Sequence, residues 1–228
     1  MAARFALTAL VALTCLANAG AHAQDTEKQA PAGPVKTKGE DKAAGELSSQ
    51  QIALVQKVSA YFNRMTALRG AFMQTSAGGA RLRGKFYVQR PGQFRFDFAK
   101  PSRLVIVSDG RQVAIQDHDL KTDDRWDLDQ TPFGALLQQD VNLLRDARFF
   151  EVEESDDTIA IAFEDRSQSV PGPLKIFLAK QPALELRKWI TKDLQGRDTL
   201  IELSDMVTVD DFEPGWFKPA SIALERLR

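Results

Sequence analysis

The sequence predicts a mainly β chain with some α, built on one antiparallel sheet that curls towards a barrel or splits into two packed sheets. Three observations predict it. About a dozen segments alternate apolar and polar residues with period two. The connections between them, punctuated by Gly-Gly, Pro-Gly, Lys-Pro and Asp-Gly, are too short for crossover helices, which leaves antiparallel pairing. The apolar residues of these segments share one face, and a twisted sheet of so many strands buries such a face by curving around it.

The elements follow in chain order. Residues 1–23 carry Arg4, an apolar run from Phe5 to Leu16 and the small-residue pattern Ala21, His22, Ala23. That is a secretory signal peptide cut after Ala23, with an apolar run shorter than the roughly 20 residues that span a bilayer. Cys15, the sole cysteine, leaves with it, so no thiol remains for a disulfide, a lipid anchor or a metal. Arg4 is the only charge in this leader, and its loss takes the formal net charge from −1 to −2. A near-neutral chain lacks the electrostatic footprint of a nucleic-acid binder.

Residues 24–46 are polar, rich in Pro, Gly and Lys, and carry too little apolar surface to offset the entropy of ordering; they are a flexible linker. A single folded domain is expected over 47–228. Ser48 and Gln51 form a capping box, with Leu47 and Ile52 placed as its hydrophobic staple. Ile52, Val55, Val58, Phe62 and Met65 then recur at helical spacing and ask for an apolar partner.

Strands are predicted near 68–75, 81–90, 93–99, 103–108, 112–117 and 124–128. A helical interval follows over Pro132–Arg145, opened by Thr131 as cap and Pro132 as first helical residue. Strands resume near 149–154, 158–164, 174–179, 184–192, 198–209 and 216–224. The inward face takes Phe72 from the first strand, Phe86 and Val88 from the second, and Phe94, Phe96 and Phe98 from the third. Leu104, Ile106, Ile161, Phe163, Ile176 and Leu186 continue it. Periodicity leaves open whether these side chains fill a solid core or line a hollow.

Little in the chain points to catalysis. His118 is the sole histidine after the leader and sits in a turn amid aspartates, and no Gly-x-Ser-x-Gly elbow is present. Asp117, Asp119, Asp123 and Asp124 lack the alternation and distal glutamate of a calcium loop. The chain reads as a non-enzyme without cofactor or metal, and a secreted hydrolase whose carboxylates converge in space is the alternative of another class.

Arg90 falls in phase with the phenylalanines of its strand, where an unpaired guanidinium is costly. It either snorkels from the strand end into water or uses its five donors on carbonyls left free at helix ends.

The stretches LRGAFMQ, GKFYVQRPGQFRFDF, KPSRLVIVSDGRQVAIQDHDLKT and TPFGALL, in this order, resemble the periplasmic outer-membrane lipoprotein carrier proteins, the LolA family. The resemblance runs from near Ser49 to about Pro219. It implies an incomplete, unclosed antiparallel β-barrel whose apolar cavity is covered by helices. It implies a monomeric periplasmic carrier that accepts acylated lipoproteins from an inner-membrane ABC transporter and passes them to an outer-membrane receptor. Arg90 matches the family arginine that latches the lid, the inward residues above become acyl-chain lining, and Phe133, Leu136 and Leu137 belong to the lid. Phe96 stands where relatives often carry tryptophan, and the ending after Trp216 departs from the family pattern. A carrier or sensor of another lipid or glycolipid would present the same apolar lining.

Overall fold

The computed structural model describes residues 46–166, 172–192 and 196–220. The leader expected over 1–23 lies outside these residues, as does all but Glu46 of the expected linker. Among the described residues no helix is long and apolar enough to cross a membrane.

Helix α1 spans Ser49–Arg64 and starts as its sequence dictates. Gln51 N–H donates to Ser48 Oγ at 3.3 Å and Ser48 N–H to Gln51 Oε1 at 2.9 Å. Val55, Val58 and Phe62 are buried against the sheet, each contributing about 1.5–3 kcal/mol. Leu47 packs on the core while Ile52 stays 36% exposed, because the buried stripe of the helix runs through Val55, Val58 and Ser59.

Among the described residues eleven strands form a single sheet: β1 Ala67–Thr75, β2 Arg81–Gln89, β3 Gln93–Phe98, β4 Leu104–Asp109, β5 Gln112–Asp117, β6 Thr122–Asp127, β7 Ala147–Glu154, β8 Thr158–Asp165, β9 Leu174–Ala179, β10 Glu185–Lys192 and β11 Asp198–Thr208. The order is β6-β5-β4-β3-β2-β1-β11-β10-β9-β8-β7, every pair antiparallel. Two meanders thus join through β1 and β11, and the outermost strands are β6 and β7, consecutive in the chain. The segment between them must travel from one edge of the sheet to the other, and it does so across the mouth of the concave face.

Two glycines set the curvature at the centre. Gly70 pairs with Phe86 and Gly84 with Phe72 across β1 and β2. A Cβ on Gly84 would stand 2.2 Å from the Asp97 carbonyl and 2.5 Å from the Phe72 ring; one on Gly70 would stand 2.7 Å from the Phe86 ring. Each phenyl therefore lies over a bare backbone, an arrangement that lets a sheet bend sharply.

Two sequence expectations are corrected. The helix expected over Pro132–Arg145 is two short pieces, α2 Gly134–Leu137 and α3 Leu143–Asp146, and Thr131, expected as its cap, instead ends a 3-10 turn Leu128–Gln130 that precedes them. Its backbone opens because Gln138 is extended and Val141 bonds to the Asn63 side chain rather than along a helix. The last expected strand, 216–224, is not one over its described part. Pro214 and Gly215 at φ +92° turn the chain just before it and Pro219 falls within it, and the arm lies over the convex face. There Phe217 is buried on Val107 and Ala114, and Gln116 exchanges hydrogen bonds with the Ala220 backbone at 2.7 and 3.1 Å. Residues 221–224 of that expected strand lie outside the described ones.

Candidate functional site

Beneath α1 and the connecting segment the concave face encloses an apolar cavity of about 80 Å³. Phe86 and Val88 of β2, Phe94 and Phe96 of β3, Ile176 of β9 and Leu186 of β10 form its walls, with Phe133, Leu136 and Leu137 above. Phe86 stacks on Phe96 at 5.9 Å, and Phe133 meets Phe94 edge-on at 6.4 Å, so aromatic faces line both wall and roof.

The other residues expected as lining do not reach this cavity. Phe72, Phe98 and Leu104 occupy the next rows away from Arg90, where Phe72 and Phe98 meet edge-on at 4.9 Å and close that end. Ile161 and Phe163 on β8 are fully buried in the same core, and Ile106 is partly buried against it. The inward phase is as expected; distance from the mouth separates packing residues from wall residues.

Several wall residues were not singled out by sequence. Trp189 meets both Phe96 and Phe133 edge-on, at 6.1 and 5.7 Å. It lies three positions after Leu186, and strict alternation sends it outward; a bulge between Leu186 and Lys188 turns it in. Met206 is three positions after Leu203 and faces inward through an equivalent irregularity, where Asp205 adopts φ +52°. Tyr61 and Phe62 come from α1 and Met65 from its C-cap; the helix was expected as a cover, but not which of its residues reach the hollow. Tyr61 Oη accepts from Leu186 N–H at 3.1 Å, and burial pushes its phenol above the ordinary value.

The connecting segment 128–146 is pinned over the cavity by polar groups. Asn63 exchanges two hydrogen bonds with the Val141 backbone, Leu143 N–H donates to Ser59 Oγ at 3.2 Å, and Gly92 N–H donates to the Leu137 carbonyl at 2.8 Å. Arg90 stands at the junction. Its guanidinium donates to the Phe62 carbonyl in the last turn of α1, to Gln138 O at 2.5 Å, to Gln139 O at 3.1 Å and to Asn63 Oδ1 at 3.3 Å. Burial lowers its pKa, with Asp140 opposing. Its Nε is buried without a protein partner among the described residues.

The remaining candidates lie far from the cavity. His118 occupies the turn after β5. Asp117 Oδ1 accepts from the backbone of Asp119 and Leu120 to close that turn, while Asp123 pairs with Arg125 at 2.8 Å and Asp119 with Arg103 at 3.8 Å.

An open antiparallel sheet holding an apolar hollow under a hydrogen-bonded cover defines a class of unclosed β-barrels. The family model for the outer membrane lipoprotein carrier protein LolA matches residues 63–220, and the chain belongs to that family. An outer-membrane lipoprotein carrier protein of Methylobacillus flagellatus is 39% identical over 71 residues, 29% of this chain and 35% of its own. One from Chromohalobacter salexigens is 27% identical over 174 residues, covering 71% and 80%. The first of these alignments thus spans about a third of that relative's length. The crystal structure of a LolA superfamily protein from Nitrosomonas europaea is similar at 14% identity and a TM-score of 0.40, over 72% of this chain and 97% of that one.

Proposed function

We propose that this protein is a monomeric periplasmic carrier that takes acyl chains of lipoproteins leaving the inner membrane and surrenders them at the outer membrane. An ABC transporter on the inner membrane and a receptor on the outer membrane are its partners, and residues 1–23 export it. The observation that carries the reading is a cavity with wholly apolar walls, roofed by a segment that hydrogen bonds rather than packing alone hold in place.

At about 80 Å³ the hollow is near half the ~150 Å³ of an engineered cavity that admits benzene, so the roof lies closed over a space too small for an acyl chain. Holding cargo takes more volume than the closed hollow has, so the roof lifts to make room. Each buried methylene then returns about 0.8 kcal/mol, and breaking a polar latch costs about 1 kcal/mol per bond, so a chain of moderate length outweighs the closure. Arg90 is the latch residue, because its donors bridge α1 to Gln138 and Gln139. Release needs an acceptor with a competing apolar site.

Native mass spectrometry of the protein purified from the periplasm, alone and with a triacylated lipoprotein in mild detergent, tests this. A one-to-one complex lost when the lipoprotein lacks its acyl chains is expected. Binding of free lipid but not lipoprotein would move the reading to a carrier or sensor of another lipid, and no lipid binding at all would overturn it.

A further inference from the structure

We infer that acyl chains reach the cavity through a groove on the side of α1 opposite the Arg90 latch, and that Met65 and Met206 are the gate. This rests on the carrier reading and names the route into that site.

A surface groove of about 460 Å³ lies between the end of α1, the turn before β10 and the end of β11. Its rim carries Arg64, Pro182, Glu185 and Val207. Tyr61, Met65, Leu68 and Met206 line this groove and the closed cavity at once, so one layer of side chains separates solvent from the hollow. All four are half-buried, each reaching both sides.

The two flanks of α1 are held very differently. Towards the 128–146 segment stand the two Asn63–Val141 bonds, Ser59 with Leu143, and Arg90 with Gln138 and Gln139. Towards β10 and β11, the hydrogen bond from Leu186 N–H to Tyr61 Oη is the one contact of this kind among the described residues. At about 1 kcal/mol net for each bond, parting the β10–β11 side is the cheaper movement by several-fold.

The gate residues suit passage. Methionine is unbranched and turns about three bonds, so it clears a path without moving backbone. Met206 follows Asp205, whose positive φ and local slip in the β1–β11 register turn it inward, while Val207 beside it is left 51% exposed. An apolar side chain is thus set outside the gate and another inside it, a continuous surface for a sliding methylene chain. Arg64 and Glu185 at the rim keep the polar end of the cargo in water.

The test uses the mature protein, which has no cysteine of its own, so one introduced thiol takes a bulky maleimide uniquely. Val207→Cys places the label in the groove; Asp129→Cys places it in the groove beside the 128–146 segment. Both positions are exposed, which keeps the label out of the core. Uptake of cis-parinaric acid is followed by stopped-flow fluorescence. Labelled Val207→Cys is expected to slow uptake about tenfold and labelled Asp129→Cys to leave it within about twofold, while Met206→Ala speeds it. Equal slowing by both labels, slowing by the Asp129 label alone, or no slowing by either would overturn the route. Absence of probe binding by the unmodified protein would instead sink the carrier reading itself.

Discussion

Asn63 and Val141 are joined by two reciprocal hydrogen bonds, Nδ2 donating to the Val141 carbonyl and Oδ1 accepting from its N–H, both at 2.9 Å. A side-chain amide here takes the place of the next peptide unit of a helix. It satisfies Val141 where the connecting segment abandons helical geometry, and ties the roof to α1.

Asn63→Ala leaves both Val141 groups without a partner in a partly buried place. The expected cost is about 1–3 kcal/mol, read from urea denaturation. Amides of residues 133–146 should exchange faster with deuterium while those of β8 and β9 hold; unchanged exchange over the roof would show that Asn63 does not anchor it.

Arg90→Leu removes the bridge from Phe62 to Gln138 and Gln139 and sets an apolar side chain at the mouth. The prediction is a fold within a few degrees of wild type in melting temperature but transfer of bound lipoprotein to an acceptor slowed tenfold or more, since a polar closure has become an apolar one. Hand-over at the wild-type rate would end the latch idea.

Gly84→Ala drives a methyl into the Asp97 carbonyl and the Phe72 ring, and should destabilise the protein by about 3 kcal/mol. Gly78→Ala is the control: the nearest atom to its Cβ is Ser76 Oγ at 4.0 Å, and the change should be nearly neutral. Similar urea midpoints for the two variants would contradict the packing described at β1 and β2.

Acid should loosen the roof through Asp146. Bidentate hydrogen bonds from Arg145 at 2.6 and 2.8 Å hold its carboxyl below the ordinary range, and Gln138 adds another at 2.7 Å, against a burial effect of opposite sign. A depressed folded-state value means that this stabilisation is fully present above the unfolded value of about 3.9 and is lost as pH falls through the folded one. Melting temperature followed from pH 7 down should therefore fall below about pH 4 less steeply in Asp146→Asn than in wild type; identical profiles would remove Asp146 from the account.

Much of this architecture was legible because its signals are local. Period-two alternation placed eleven of the strands within a few residues, Ser48 and Gln51 announced α1, and the alternation of Phe94, Phe96 and Phe98 gave the concave face. Trp189 and Met206 were missed for one shared reason: a bulge shifts the phase by one residue, and no residue at Arg187 or Asp205 declares it in advance. The broken helix between Pro132 and Arg145 was missed because its geometry is decided by Asn63, far away in sequence. Arg90 was conspicuous as a cation on an apolar face, yet its acceptors at Gln138 and Gln139 lie 48 and 49 positions on and only the fold introduces them. Phe217 reads as an ordinary strand residue until the arm that carries it is seen on the convex side.

The unpaired ends at β6 and β7 make the wall a spring clip rather than a hoop. In a closed barrel, strand number and stagger dictate the bore, and enlarging it means tearing ladder bonds. Here neither edge is paired to the other, so a small change in twist spread over ten strand pairs alters their separation without breaking a rung. Strand count and stagger therefore do not fix the bore of this wall, and twist sets it instead.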